Sequence, residues 1–202
     1  MTSVFADVGA EAIRAFHDAQ IGAPARVGER AEEADDAWHW IATNHRCNQR
    51  LWHEEDLARR TDVPDAQIVA NKRAIDVYNQ QRNDAIERID ELLLARLDGV
   101  IVAADAWRNS ETAGSITDRL SILALKIFHM DNAARRTDIG SSLEVSCRER
   151  HQRLCVQRDE LASSFDTLLY QAVRGLAYWR VYRQFKMYND PALRPVRYRG
   201  SL

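Results

Sequence analysis

Lysine is nearly missing from this 202-residue chain: only Lys72, Lys126 and Lys186 break an otherwise all-arginine set of 28 basic residues. Glycine and proline are scarce as well, at eight and four. That is too few to turn a β-sandwich every ten residues, and far below the share found in disordered chains. The three cysteines, Cys47, Cys147 and Cys155, form no Cys-x-x-Cys pair and are odd in number. They argue against a disulfide framework or a structural zinc site and for a reducing compartment. No apolar run approaches the ~18 residues of a membrane span, and no basic leader precedes a hydrophobic segment, the first positive side chain being Arg14. A cytoplasmic protein without a membrane span is expected. Walker, G-x-G-x-x-G, G-x-S-x-G and Glu-x-x-His patterns are all absent, which speaks against a P-loop, a dinucleotide fold, a serine hydrolase elbow and a ferritin-like dimetal site. No cofactor and no metal are expected.

What is present suits a helical protein with a sizeable core: 46% hydrophobic and 29% charged residues. A formal charge of −2 argues against nucleic acid as a partner. The charge is uneven. Residues 174–202 carry seven basic side chains and one acid, Asp190, so the body before them is acidic. This end also holds Tyr178, Trp179, Tyr182, Phe185, Tyr188 and Tyr198. Cations interleaved with aromatics suit a nucleotide, a phosphorylated sugar or single-stranded nucleic acid. The acidic body favours the blander reading, a docking segment whose aromatics are core and whose Arg residues answer acids.

Spacing predicts an all-α antiparallel bundle of four to five long helices in a single domain, residues 1–202. A short N-terminal helical arm (about 1–22) carries Phe5, Val8, Ala12 and Phe16 on one stripe. A second helix is predicted from near Gly28 to Arg60, and a third from about Asp65 to Leu97 after Asp62, which can cap, and Pro64. A short helix is predicted over Val100–Trp107. A fourth helix follows the loop at 109–115, with Ser115 and Asp118 as its capping pair, and it is apolar nearly all round from Leu120 to Met130. A fifth begins at Gly140-Ser141 and can run to about Lys186, with a break expected near Gly175. An extended tail fills about 190–202. Residues 81–93 and 157–169 echo one another weakly, which would place Arg82 and Arg158 in related positions.

Several polar residues fall on the apolar stripes. On the second helix His45, Asn48 and Glu55 share the face of Trp38, Ile41 and Trp52; on the third, Lys72, Asn79 and Arg82 share that of Ile75, Ile86 and Ile89, with Asp76 and Asn83 on the adjoining stripe. Core-facing polar groups must find partners or lose several kcal/mol. The two helices are therefore expected to face each other across a polar layer, either a register-fixing network or a ligand pocket. Lys126, set in the most apolar run, is expected to be desolvated against Glu55, Glu87 or Glu111, or else to run its stem to the surface. Glu54, Glu55 and Asp56 with Glu87 and Asp90 offer a weaker alternative, a Mg²⁺ site of a nucleotide pyrophosphohydrolase.

Four strings occur in order: Asn44-His-Arg-Cys-Asn48-Gln-Arg-Leu-Trp52-His-Glu-Glu55-Asp56, Lys72-Arg-Ala-Ile-Asp76-Val-Tyr-Asn79-Gln-Gln-Arg82-Asn83-Asp84, Glu111-Thr-Ala-Gly-Ser115-Ile-Thr-Asp118-Arg119-Leu-Ser-Ile-Leu and Lys186-Met-Tyr-Asn189-Asp-Pro191. Together they resemble the bacterial domain-of-unknown-function family 4254, over about residues 35 to 195. Ala113 and Arg194 depart from its pattern, where Pro and Asn are expected. The resemblance marks Glu111, Asp118, Arg119, Lys126 and Lys186 as motif positions beside the stripe residues, and implies a setting among cell-envelope polysaccharide and glycosyltransferase genes. No activity comes with it.

The functional expectation is binding, with or without turnover, of a phosphate- or sugar-bearing anionic small molecule between helices. Lys72, Arg82, Arg119 and Lys126 would meet anionic oxygens; Asn48, Asn79 and Asn83 would orient the ligand; Asp76, Glu111, Asp118 and Lys186 are further ligand-binding candidates; and His45 and Glu55 are the acid/base candidates. The rival is a non-catalytic module that docks a protein partner, such as a glycosyltransferase or a second copy in a homodimer.

Overall fold

The computed structural model describes residues 4–21, 36–138 and 140–184. Within them the chain is an all-α bundle of five helices: α1 (Ala10–Gln20), α2 (Ala37–Leu57), α3 (Asp65–Ala95), α4 (Ala113–Ala134) and α5 (Ser141–Val173). Two-residue strands β1 (Trp107–Arg108) and β2 (Ala177–Tyr178) pair in parallel. No helix among the described residues is long and apolar enough to cross a membrane. Lys186, Phe185, Tyr188, the Asn189–Pro191 stop, the predicted tail and the first part of the predicted second helix lie outside the described residues.

α2 packs most extensively on α3, and α4 on α5, so two helical hairpins make the body. One apolar cluster joins them, built on Ile41, Ile89, Leu93, Ile116, Leu120, Phe165 and Leu168. Phe5 and Val8, from the turn before α1, and Ile13 of α1 belong to the same cluster. Ala10 N–H donates to Asp166 Oδ1 at 2.8 Å, and ion pairs Arg14–Asp159 and Arg158–Asp18, both 2.7 Å, tie α1 to α5.

Helix ends follow local chemistry, with four departures from expectation. α3 starts at Asp65 behind Pro64, but Asp62 does not cap it; its carboxylate takes the Arg60 guanidinium at 2.8 and 3.0 Å. At α4 the capping box is Thr112 with Ser115, one turn earlier than predicted, because Asp118 is turned into the core. No helix forms over Val100–Trp107. The donors of Ala103, Trp107 and Asn109 go to the carbonyls of Gly175, Leu176 and Tyr178 (2.8–3.1 Å) rather than to carbonyls four residues back. α5 ends at Val173, at the expected break near Gly175, but does not resume toward Lys186: Ala177–Tyr178 form β2, and no helix occurs in the described residues 174–184. Gly175 has φ +71°, and a Cβ there would stand 2.1 Å from Ile101 O, so only glycine allows the two segments to meet.

Gly114 plays the equivalent part inside the bundle. A Cβ on it would lie 2.4 Å from Ile86 O and 3.0 Å from Asp90 Cγ, so its absence lets α4 rest on α3 backbone to backbone. Gly114 N–H donates to Asp90 Oδ1 at 2.6 Å. Burial pushes the Asp90 carboxyl up to about 6, against the lowering effect of its hydrogen bonds.

Candidate functional site

The buried polar layer exists, but between α2 and α4. Asn44 and Asn48 both donate to Asp118 Oδ1 at 2.8 Å. Asn48 also reaches Ser121 Oγ at 3.0 Å, and Ser121 Oγ is 2.8 Å from His45 Nδ1. All five side chains are buried. The expected opposition of α2 and α3 polar stripes is therefore corrected: α2 turns its amides to α4, while Lys72 and Asp76 are exposed and Asn79, Arg82 and Asn83 half-buried on α3. Arg82 keeps a buried Nε without a partner, a property it shares with Arg158.

His45 continues this layer outward. Its ring stacks on His17 of α1 at 4.6 Å and 18°, with Phe16 edge-on. His17 and His45 are 0% and 1% exposed, and His17 Nδ1, His17 Nε2 and His45 Nε2 have no hydrogen-bond partner. Burial brings His45 down to about 4 and, with the charges of His45 and Arg158, holds His17 well below the usual histidine range. Both rings are neutral at pH 7. Glu55 stands ten residues further along the same continuous helix, about 15 Å at 1.5 Å per residue. It meets Lys72 at 3.6 Å and Arg59 at 3.8 Å on the rim. The two acid/base candidates are thus not brought to one place.

The open site lies on the other side of α4. A groove of about 870 Å³ runs between α4 and α5. Its α4 wall presents Ile116, Arg119, Ile122, Leu123 and Lys126; its α5 wall presents Gln157, Glu160, Leu161, Ser163, Ser164 and Thr167; Trp107, Asn109 and Glu111 close one end. Arg119 Nη1 binds both Glu111 oxygens at 2.5–2.6 Å. The Trp107 indole donates to Gln171, which sets the ring, and leaves it 44% exposed.

Lys126 is exposed rather than desolvated. The C-terminal half of α4 is covered on one side only, so Lys126, Phe128 and His129 face outward although the local sequence is apolar. None of the expected carboxylates reaches Lys126. Glu55 pairs with Lys72, Glu87 with Arg183 (3.2 Å), and Glu111 with Arg119. Lys126 has no ion-pair partner among the described residues.

The acidic set suggested for Mg²⁺ is dispersed. Glu54 takes Asn71 at 2.7 Å, Asp56 takes Arg59 at 3.0 Å, Glu87 takes Arg183 and the Gln184 N–H, and Asp90 takes Gly114. No group of three or more His, Cys, Asp or Glu that could hold a metal occurs among the described residues. In the described part of the basic, aromatic end, Trp179 is core and Arg183 answers Glu87 and Glu91.

The structure therefore unites Asn48 with Asp118, and Glu111 with Arg119 and Lys126, in two separate places. Lys72, Asp76, Asn79, Arg82 and Asn83 join neither. Sequence reasoning missed Asn44 and Ser121, though each sits one turn from a named partner, at i−4 from Asn48 and i+3 from Asp118. It also missed His17, which lies one residue past the Phe5–Phe16 stripe. The groove's α5 wall carried only a three-to-four-residue polar spacing, which every solvated helix face shows.

No curated protein and no solved structure matches the chain. Residues 38–181 match the model of a family described as protein of unknown function, DUF4254. This match takes in α2, α3, α4, α5 and the β1–β2 pair, with both polar places. The chain is a member of the DUF4254 family.

Proposed function

We propose that the protein binds a polar small molecule bearing a sugar or an acidic group in the groove between α4 and α5. The observation that carries this is one wall of the groove: Lys126, exposed and unpaired among the described residues, beside a cavity of ligand size. Around it stand fixed polar groups and one partly exposed indole, the mixture by which pockets orient a ligand. The buried layer of Asn44, Asn48, Asp118 and Ser121 then serves as the frame that holds α4 in place. Its members satisfy one another and sit away from the groove. The three free thiols fit action in the reducing cytoplasm.

Calorimetric titration of the whole chain with sugar phosphates and acidic sugars tests the proposal. Saturable binding that Lys126→Ala weakens about tenfold, the loss of one charge-assisted contact, is the expected result. Binding that Lys126→Ala and Ser164→Ala both leave untouched would place the ligand elsewhere. The second reading, a protein-docking module, has its own observation. Ile101 is 90% exposed, Val102 50% and Leu176 43%, and the Gly175 contact brings these segments together.

A further inference from the structure

The shape and charge of the groove narrow the ligand further, on the reading that the groove binds a small molecule at all. Both long walls have the same reach: Ile116 to Lys126 on α4 and Gln157 to Thr167 on α5 each span about 15 Å at 1.5 Å per residue. That is longer than one sugar ring or one phosphate, so a ligand that uses both ends is extended. The charges nearly cancel. Arg119 is held by Glu111 at 2.5–2.6 Å, and Glu160 faces the groove from α5. Among the described residues, a ligand with several negative charges would meet two carboxylates, Glu111 and Glu160, and one unpaired cation, Lys126, which disfavours a nucleoside diphosphate or a polyphosphate.

The remaining polar lining is uncharged. Ser163, Ser164, Thr167, Gln157 and Asn109 supply hydroxyls and amides that donate and accept. This is the complement of a polyhydroxylated molecule, not of a compact anion. Trp107 stands at the end opposite Lys126. Its neighbour there is Gln171, whereas α4 and α5 run from that end toward Lys126 and Gln157. An indole face is electron-rich, and the C–H face of a sugar ring fits against it.

From this juxtaposition we propose that the groove takes an acidic oligosaccharide lying along α4 and α5, one ring on Trp107 and its carboxylate at Lys126. The hydroxyls between meet the serine, threonine and amide groups of the α5 wall. Lys126 selects for the acid; Trp107 contributes to affinity for any sugar that reaches it.

The test titrates the full chain with oligogalacturonides of one, two and three rings, with neutral maltotriose, with inorganic phosphate and with a nucleoside diphosphate. Calorimetry gives the affinity, and the Trp107 indole N–H resonance, assigned with Trp107→Phe, gives the place. The expected result is affinity that rises with ring number, a shift of the Trp107 signal, and maltotriose about tenfold weaker than the acidic trimer. Lys126→Ala removes the preference for the acid and leaves maltotriose unchanged. Trp107→Ala weakens both trimers by up to about tenfold. Phosphate or the nucleoside diphosphate binding more tightly than any oligosaccharide, with the Trp107 signal moving, would overturn the glycan and keep the groove as an anion site. No probe moving the Trp107 signal and none binding in a Lys126-dependent way would overturn both.

Discussion

Asp118 and Arg119 are neighbours in sequence and open onto two different worlds. Asp118 points to α2, where Asn44 and Asn48 each hold it at 2.8 Å out of reach of water. Arg119 points to α5, exposed, over a groove of about 870 Å³. The hundred-degree step of a helix separates a sealed face from an open one. A sequence stripe of polar residues on a helix can therefore mean a frame or a site, and only the neighbouring helix decides which. On the sealed face the Asn44 and Asn48 amides meet Asp118 and Ser121 as acceptors, and these side chains are short: Asn, Ser, Asp. On the open face the groups are long, Arg and Lys, and Lys126 lacks an answering charge among the described residues. Satisfaction marks structure here, and surplus marks the candidate site.

The harshest way to break this contrast is to remove the centre of the sealed face. Asp118→Ala would leave two buried amides without their acceptor, and the expected loss is about 3–5 kcal/mol in urea unfolding. Asp118→Asn keeps an acceptor oxygen and should cost clearly less. If Asp118→Ala stays within experimental error of the parent, the layer is not the frame of the bundle.

Acid attacks the same face through His45 and its stacked partner His17. Both are neutral when buried, with folded pKa values below the unfolded value of 6.5, so folding favours fewer bound protons. Their contribution is complete above pH 6.5 and is lost as pH falls toward about 4, the folded value of His45. For His45 the full effect is about 3 kcal/mol. Arg158 stands near His17 and adds positive charge; it is paired with Asp18, and Arg14 with Asp159. The α3–α4 junction has the opposite sign. The Asp90 folded value near 6 lies above the usual 3.8, so the junction is most stable in acid and loses that contribution as pH rises through 6. Hydrogen exchange between pH 7 and 5 should therefore show α1 and the start of α2 loosening first. His17→Phe should flatten that limb, and Asp90→Asn should flatten the rise that offsets it. Uniform loosening of all five helices would contradict the division.

The α3–α4 contact can also be tested by size. Gly114→Ala places a methyl 2.4 Å from Ile86 O, a backbone atom that cannot rotate aside. Separating the helices to admit it should cost about 1–3 kcal/mol, with the cooperativity of thermal unfolding retained. A neutral Gly114→Ala would show that the two helices are not in backbone contact.

Much of the frame could be read before the fold was known. The stripes at three-and-four spacing located all five helices, α3 to within two residues at both ends. Apolar spacing records burial, and burial is local to a helix face. The failures share a cause. Val100–Trp107 reads as helix because its residues are helix-compatible, yet the backbone donors of Ala103 and Trp107 are taken by a segment about seventy residues away. Lys126 reads as buried because the residues around it are apolar, yet the open groove between α4 and α5 leaves its side chain exposed. Asn48 was legible as a core-facing amide, but its partner was not, because spacing tells that a face is inward and never which helix it meets. The groove was the least legible part. Ser163, Ser164 and Thr167 look like any solvated face until Arg119 and Lys126 are set opposite them.

The smallest stability effects should come from the open face, and that is what makes it informative. Lys126→Ala and Ser164→Ala remove exposed side chains, and the one hydrogen bond lost, from Ser164 Oγ to the exposed Glu160 carbonyl, leaves that carbonyl to water, so each should change unfolding free energy by no more than about 0.5 kcal/mol. Arg119→Ala also breaks the Glu111 pair, which is solvent-exposed and worth about 0.2–1 kcal/mol. Against these small numbers the expected loss of ligand affinity is about tenfold for Lys126→Ala, a change of 1.4 kcal/mol that the unfolding curve would not register. A frame residue behaves in the reverse way: its loss appears in unfolding and reaches binding only by disturbing α4. If Lys126→Ala instead destabilises the chain as much as Asp118→Ala does, the two faces of α4 are alike, and the groove is part of the frame.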